Sequence, residues 1–286
     1  MYITASASVS MGETKVWQRT ILPFISSLVA TMSDQRRTIL VTGANRGIGF
    51  AIVQALGSDA ETASSIFLLG CRDLERGKDA VEQLRELGVV SEVIPVLIDV
   101  SSDSSIQHAV QVVDDQYGHL DVLVNNAGYA EIPAAADFSD WRGAYARVFD
   151  VNVISVALTT QLFLPLLRKS PSGGRVINVS SGRGAISLLA AGLLPPTVSI
   201  PYSISKTALN MLTVEMSRIP ANKDVEFQLA GPGHCKTAFN GYRGTRDPLE
   251  GANVVVELVK AEKGRNKNAG FWETKGASLD LVEIPW

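Results

Sequence analysis

Short apolar runs alternate with longer segments of helical periodicity from residue 38 onward. The short runs predict strands at Ile39–Val41, Ser65–Leu69, Val93–Ile98, Val122–Asn125, Arg175–Ser180 and Val225–Leu229. The longer segments predict helices at Phe50–Leu56, Leu74–Leu87, Ser104–Tyr117, Trp141–Arg168, Tyr202–Arg218 and Leu249–Lys260. Strands that are apolar at nearly every position are typical of a parallel sheet with helices on both faces. The pattern therefore predicts an α/β fold with a three-layer, doubly wound parallel sheet in a single domain, and Gly270–Trp272 as a last strand.

The first 36 residues differ in character from the rest of the chain. They are rich in Ser, Thr and Ala and poor in acids, and their apolar patch, Ile21–Ala30, is too short to span a bilayer. We expect a poorly ordered extension over residues 1–36 and one folded domain over residues 37–286. A mitochondrial transit peptide is the minor alternative for this extension.

The charges exclude several classes of partner. The formal net charge is -3 at pH 7 and the basic residues are scattered, so we expect neither nucleic acid nor an anionic membrane as a partner. Cys71 and Cys235 are too few for a disulfide framework, and the three histidines form no metal-ligand spacing with them. We therefore expect a cytoplasmic protein without a metal site.

A glycine-rich segment follows the first predicted strand. Residues Thr42–Gly49 read TGANRGIG, and a predicted helix comes directly after them. Glycine permits backbone angles and close approaches that a side chain prevents, and the first N–H groups of a helix have no acceptor within it. This order of strand, turn and helix binds a dinucleotide pyrophosphate in a Rossmann fold, although an ordinary tight turn is the alternative for the glycines alone. We predict a dinucleotide site at Gly43, Gly47 and Gly49.

The end of the second predicted strand bears on the choice of dinucleotide. Arg72 follows Cys71 there, where a chain that prefers NAD carries an acidic residue for the ribose hydroxyls. A guanidinium binds phosphate through its forked donors, and Arg46 in the glycine segment adds a second cation. The sequence therefore favours NADP(H). Two alternatives stay open, since Asp73 could serve NAD and both arginines could be ordinary surface charges.

A tyrosine and a lysine lie one helical turn apart after the fifth predicted strand. Tyr202 and Lys206 therefore share a helix face. A phenol titrates at about 10 in water, too high for ready proton exchange at neutral pH, and a nearby ammonium group favours the phenolate. The pair predicts Tyr202 as a general acid and Lys206 as the group that adjusts it.

Taken in order, these motifs resemble those of the short-chain dehydrogenase/reductase family. The motifs are the glycine segment, Asn125–Gly128, Ser180-Ser181 and Tyr202-x3-Lys206. The resemblance extends from about Thr38 to the C-terminus. Within the family the chain is most similar to NADPH-dependent carbonyl reductases, on the evidence of Cys71-Arg72-Asp73, Pro232-Gly233 with Thr237, and Ile284-Pro285-Trp286.

The resemblance implies a catalytic tetrad, which consists of Asn152, Ser181, Tyr202 and Lys206. In this family Ser181 would bind the substrate carbonyl and Tyr202 would donate the proton. Lys206 would lower the Tyr202 pKa and hold the nicotinamide ribose, and Asn152 would support a water relay. Ser180 is the alternative to Ser181, and an ordinary helix residue bonded to backbone is the alternative for Asn152.

The resemblance also implies further contacts with the cofactor. Ile48 would meet the pyrophosphate through its N–H, and Asp99 and Val100 would flank the adenine. The other residues implied at the cofactor are Asn126, Ala127 and Gly128 along the cleft, Thr237 at the carboxamide, and Tyr202 and Lys206. The expected function is NADPH-dependent reduction of a small hydrophobic ketone, aldehyde or quinone. A non-catalytic NADP-binding regulatory protein, and an imine reductase or alcohol dehydrogenase on the same scaffold, are the alternatives.

One segment departs from the family pattern. Ser181 precedes Tyr202 by more residues than is usual, and the additional segment Ile186–Pro196 is apolar. It is expected either to form a wall of the substrate site or to pack on its own protein or a second subunit. The second alternative leaves a homo-oligomer open.

Overall fold

The computed structural model describes residues 36–133, 139–275 and 279–286, so almost all of the predicted extension lies outside the described residues. Within these ranges eight strands form one sheet. They are β1 Thr38–Val41, β2 Ile66–Cys71, β3 Glu92–Leu97, β4 Val122–Asn125, β5 Arg175–Val179, β6 Glu226–Ala230, β7 Phe271–Thr274 and β8 Leu281–Glu283. Their order is β3-β2-β1-β4-β5-β6-β7-β8. Strands β1 to β7 pair in parallel, which confirms the predicted sheet, and β8 adds an antiparallel edge that the sequence did not predict.

Helices cover both faces of this sheet. They are α1 Gly47–Ser58, α2 Leu74–Glu86, α3 Asp103–Tyr117, α4 Trp141–Phe149, α5 Ser155–Arg168, α6 Ile186–Ala190, α7 Ile200–Arg218 and α8 Pro248–Lys260. Successive side chains of a strand point to opposite faces, so Ile39 and Val41 pack in one apolar cluster and Leu40 in the other. The first cluster includes α1, α2 and α8, and the second includes α3, α5 and α7. This is the predicted three-layer arrangement.

The predicted helix Trp141–Arg168 is interrupted by a π-helical turn at Asp150–Ile154. Such a turn inserts a residue without changing the apolar periodicity strongly, which is why the pattern did not reveal it. The whole stretch is long and apolar enough to cross a membrane by length and composition, yet half of its most apolar window is buried inside the protein, as in the core helix of a soluble fold. The π turn brings Asn152 into a fully buried position.

A short helix, α6, lies in the apolar segment Ile186–Pro196 that separates Ser181 from Tyr202. The C-terminal residues hold it: the N–H of Ser187 donates to the Trp286 carbonyl at 3.0 Å, and its hydroxyl donates to the Pro285 carbonyl at 3.1 Å. The Trp286 ring in turn packs against Phe271 of β7, with centroids 6.1 Å apart. The segment is therefore attached to the sheet through the chain end.

Candidate active site and cofactor cleft

The predicted motifs meet at one edge of the sheet. The chain runs from β1 outward to β2 and β3, and then returns to place β4 on the other side of β1. The point between β1 and β4, where the direction reverses, is where doubly wound sheets bind ligands at the carboxyl ends of their strands. The glycine segment follows β1, and Asn126 to Gly128 follow β4.

The glycine segment forms a turn that is fixed to its neighbours by backbone hydrogen bonds. Gly43 and Gly47 have φ angles of +63° and +61°, a region that side chains disfavour. The Asn126 amide donates to the carbonyls of Thr42 and Gly43 at 2.8 and 3.2 Å. No side chain in the described part of the chain caps the start of α1, so its first N–H groups can bind an anion.

Alanine at Gly49 is expected to destabilise the protein more than alanine at Gly47. A Cβ at Gly49 would overlap the Asn126 amide and lie 2.7 Å from the Gly43 carbonyl oxygen and 2.9 Å from the Ala44 Cα, so backbone would have to move. We expect a loss of about 3 kcal/mol in the free energy of unfolding, the upper part of the range for overpacked sites. A Cβ at Gly47 would have its nearest neighbour at 3.7 Å, so its positive φ is the main cost, about 1 kcal/mol. Urea unfolding of the two variants measures the difference, and equal losses would contradict the close approach of α1 to the turn.

Two arginines lie exposed beside this turn. The side chains of Arg46 and Arg72 make no hydrogen bond or ion pair with the described residues, and both residues are exposed. The neighbouring carboxylate of Asp73 caps α2, accepting from the N–H groups of Glu75 and Arg76 at 3.1 and 3.2 Å. The Cys71 side chain is buried. The Asp73 carboxylate, which could have served NAD, therefore caps a helix instead. The guanidinium groups of Arg46 and Arg72 bind no other described residue.

The other predicted cofactor residues lie around the same cleft. Val100 and Ala127 line one small cavity beside Thr42. Thr237 lies against the glycine turn, 3.7 Å from the position that a Cβ on Gly47 would occupy. Other predicted positions are Ile48 in the first turn of α1, Asp99 after β3 and Gly128, where a Cβ would lie 3.4 Å from the Asn152 side-chain oxygen.

Tyr202 and Lys206 lie on α7, as the spacing predicts. The Lys206 ammonium lies 5.7 Å from the centre of the Tyr202 ring and donates to the Val179 carbonyl at 2.8 Å. Lys206 is 5% exposed, whereas Tyr202 is partly exposed toward the cleft. Burial raises the pKa of Tyr202 to about 12, with a hydrogen bond from Ser181 acting in the opposite direction, and burial lowers the pKa of Lys206 to about 8. Burial therefore outweighs the lowering of the Tyr202 pKa that the spacing of Tyr202 and Lys206 predicts.

The two consecutive serines after β5 have different surroundings. Ser180 is 2% exposed and donates to the Asn210 side chain at 2.6 Å. Asn178, two residues earlier, likewise bonds to Thr213 on α7, as alternation along a strand predicts. Ser181 is less buried, starts a short 3-10 turn and acts on the Tyr202 phenol, whose pKa it lowers. The structure thus brings Ser181, not Ser180, to the phenol. Strand alternation could not have separated them, because Ser180 also bonds to α7, the helix that carries Tyr202.

Asn152 joins three segments of the site. Its amide nitrogen donates to the Tyr129 carbonyl at 2.8 Å and to the Ser205 hydroxyl at 2.9 Å, while its oxygen accepts from the Tyr129 N–H at 2.8 Å. Ser205 itself donates to the Tyr202 carbonyl at 2.7 Å. Both amide donors are thus engaged within the protein, and the side chain fixes the Tyr129 loop relative to the helix that carries Tyr202. Ser205 was not predicted, because no sequence motif marks a contact between separate helices.

Comparisons with known proteins agree with this architecture. A sequence model described as short chain dehydrogenase matches residues 37–247. A short-chain dehydrogenase/reductase of Aspergillus fumigatus is 37% identical over 265 residues, which cover 89% of this chain and 99% of the relative.

Two solved structures are also similar. The NADPH-bound carbonyl reductase from chicken fatty liver is 26% identical, with a TM-score of 0.71 and coverage of 88% of this chain and 99% of that one. An alcohol dehydrogenase from the archaeon Thermococcus sibiricus, complexed with 5-hydroxy-NADP, is 27% identical, with a TM-score of 0.68 and coverage of 82% and 94%. With a family match over residues 37–247 and a glycine turn, a serine and a Tyr-Lys pair at one sheet edge, the chain belongs to the short-chain dehydrogenase/reductase family of oxidoreductases.

Proposed function

We propose that this protein is a cytoplasmic, NADPH-dependent reductase that converts a hydrophobic ketone, aldehyde or quinone to the alcohol. The observation that carries the proposal is the partly exposed Tyr202 side chain, whose phenol is acted on by Ser181 and whose ring has the buried Lys206 ammonium beside it. A similar solved structure is described as an NADPH-bound carbonyl reductase, which supports the same chemistry here.

The residues of the cleft fit NADP(H). The side-chain-free turn at Gly43 and Gly47 permits close approach of a pyrophosphate, and the uncapped start of α1 offers N–H donors to it. Arg46 and Arg72 are exposed cations whose side chains pair with none of the described residues, and they are suited to a 2′-phosphate. Bound NADPH would supply the hydride that the carbonyl carbon takes up.

Residues of the protein would position the substrate oxygen and donate the proton to it. Ser181 would donate a hydrogen bond to the substrate oxygen and so place it at the Tyr202 hydroxyl, which protonates it. Because the Tyr202 pKa is about 12, the phenol carries its proton throughout the neutral range and is ready to act as an acid. The Lys206 cation, held by the Val179 carbonyl, would stabilise the phenolate as it forms. The water relay that the family resemblance implies for Asn152 stays a prediction.

The value of kcat/KM is expected to fall as the pH rises above about 8. The lowered Lys206 pKa of about 8 means that its cation is present below this pH and lost above it. Tyr202, with a pKa of about 12, does not titrate in the same window. The pH profile of kcat/KM reports the free enzyme and measures this directly. A Lys206→Arg variant keeps its cation and should lose the alkaline fall in whatever activity it retains, and a flat wild-type profile up to about pH 10 would contradict the assignment.

The proposed function is tested by steady-state consumption of NADPH and NADH with hydrophobic ketones, aldehydes and quinones, beside matched panels of imines and alcohols. We expect turnover with carbonyl compounds and NADPH. Turnover confined to imines would indicate an imine reductase, and alcohol oxidation with no reverse reaction would indicate a dehydrogenase. Tight NADPH binding without turnover of any compound would indicate the non-catalytic alternative.

A further inference from the structure

An aromatic side chain that the sequence did not single out lies beside the proton donor. The Phe239 ring centroid is 5.6 Å from that of Tyr202, and the two ring planes are inclined by 60°. Aromatic pairs favour this range of separations and tilted arrangements. Phe239 is nevertheless 49% exposed, so about half of the residue is free to contact another molecule beside Tyr202.

Hydrogen bonds hold Phe239 at this place. It lies in a 3-10 turn, Ala238–Asn240, that begins directly after Thr237. The Thr237 carbonyl accepts from the N–H groups of Asn240 and Tyr242 at 3.3 and 2.8 Å, and the Asn240 amide donates to the Cys235 carbonyl at 2.8 Å. Since Thr237 also lies against the glycine turn, the segment that would meet the cofactor also positions Phe239.

Apolar side chains also flank the serine. A Cβ on Gly182, the residue after Ser181, would lie 3.8 Å from a methyl carbon of Leu188 and 3.8 Å from one of Leu194. Both leucines belong to the apolar segment that the C-terminal residues attach to the sheet. Ser181 is thus bordered by aliphatic groups, whereas Tyr202 is bordered by a phenyl ring.

We propose that Phe239 is a substrate-binding residue and that the substrate is an aromatic carbonyl compound whose flat ring packs on the exposed part of the Phe239 side chain. This inference rests on the proposed function and specifies its substrate class. A ring that packs on Phe239 would lie beside the Tyr202 ring, so a carbonyl group attached to it would be near the proton donor. A saturated ring of the same size buries similar apolar area but lacks the aromatic pairing.

The test compares two ketones with the same carbon skeleton, acetophenone and cyclohexyl methyl ketone. Wild type, Phe239→Leu and Tyr242→Leu are assayed with NADPH, and the ratio of kcat/KM for the aromatic over the saturated ketone is the readout. Taking ratios removes the different intrinsic reactivity of the two compounds. Phe239→Leu keeps apolar volume and should lower the ratio by about three- to tenfold. Tyr242→Leu is the matched control, since Tyr242 is an exposed aromatic residue of the same loop with no ring contact to Tyr202 among the described contacts, and it should leave the ratio unchanged.

A second readout does not depend on turnover. Benzamide and cyclohexanecarboxamide resemble the two ketones but are not reduced, and their dissociation constants from the NADP⁺ complex are measured by ligand-observed NMR. Benzamide should bind more tightly to wild type and to Tyr242→Leu, and Phe239→Leu should lose that preference. If the wild type reduces neither ketone but shows this pattern, the proposed reduction fails for ketones while the aromatic site stands. Equal ratios in wild type and Phe239→Leu, equal amide affinities in these two proteins, or no binding of either amide would overturn the inference.

Discussion

Replacing Tyr202 by Phe is expected to lower kcat with any carbonyl substrate by about 10²- to 10⁴-fold, the usual contribution of a positioned general acid. The substitution removes one oxygen and leaves the ring that packs against Phe239, so the fold and the cleft should persist. Ser181 would still hold the substrate oxygen, but no group would protonate it. The NADPH dissociation constant should change by less than about threefold, because in the proposed site the arginines and the glycine turn would supply most of the binding.

The matched control for this variant is Tyr117→Phe. Tyr117 ends α3, at the opposite edge of the sheet from the cleft, and the change removes the same hydroxyl group there. Its kcat should equal that of wild type. A Tyr202→Phe protein that kept more than about a tenth of the wild-type kcat would show that another group delivers the proton.

Replacing both Arg46 and Arg72 by Ala is expected to remove the preference for NADPH over NADH. Each charge-assisted contact to a phosphate is worth about tenfold or more in affinity, so the NADPH dissociation constant should rise about 100-fold in the double variant. NADH lacks the 2′-phosphate, and its dissociation constant should change little. The wild-type preference should also weaken as salt concentration rises, because exposed charges are screened.

Arg85→Ala provides the control for the loss of a positive charge. Arg85 is exposed near the far end of α2 and pairs with Glu82 at 3.3 Å. Titrations of both cofactors with all variants measure the effect, and the control should retain the wild-type preference. If the double variant also retained it, the arginines would be ordinary surface charges, and the choice between NADP and NAD would have to rest on other residues.

Local patterns in the sequence predicted much of this fold. The predicted strand Ile39–Val41, which lies within β1, is apolar at every position, and side-chain alternation along it places Leu40 and its neighbours in opposite layers. The sequence pattern did not predict the elements that form through contacts with residues far away in the chain. Strand β8 has three residues and exists through pairing with β7, and α6 is attached through hydrogen bonds to Pro285 and Trp286.

In the candidate site, too, some features could be predicted from the sequence and others could not. Tyr202 and Lys206 are one turn apart on a single helix, so spacing alone could predict that they share a face. Their pKa values depend on how deeply the two side chains are buried, and the spacing of the two residues in the sequence does not show this. Phe239 contacts Tyr202 although the two residues are 37 positions apart in the sequence, so no local motif marks this contact. Only the folded chain shows such a contact.

The most direct test of the proposed reduction follows the hydride itself. NADPH carrying deuterium at the nicotinamide carbon that releases hydride is incubated with the wild-type protein and a panel of hydrophobic ketones, aldehydes and quinones, and the products are examined by mass spectrometry and NMR. The account predicts an alcohol labelled at the former carbonyl carbon for at least one ketone or aldehyde, with no label transferred by the Tyr202→Phe protein in the same time. Tight NADPH binding with no transfer of label to any compound of the panel would contradict it.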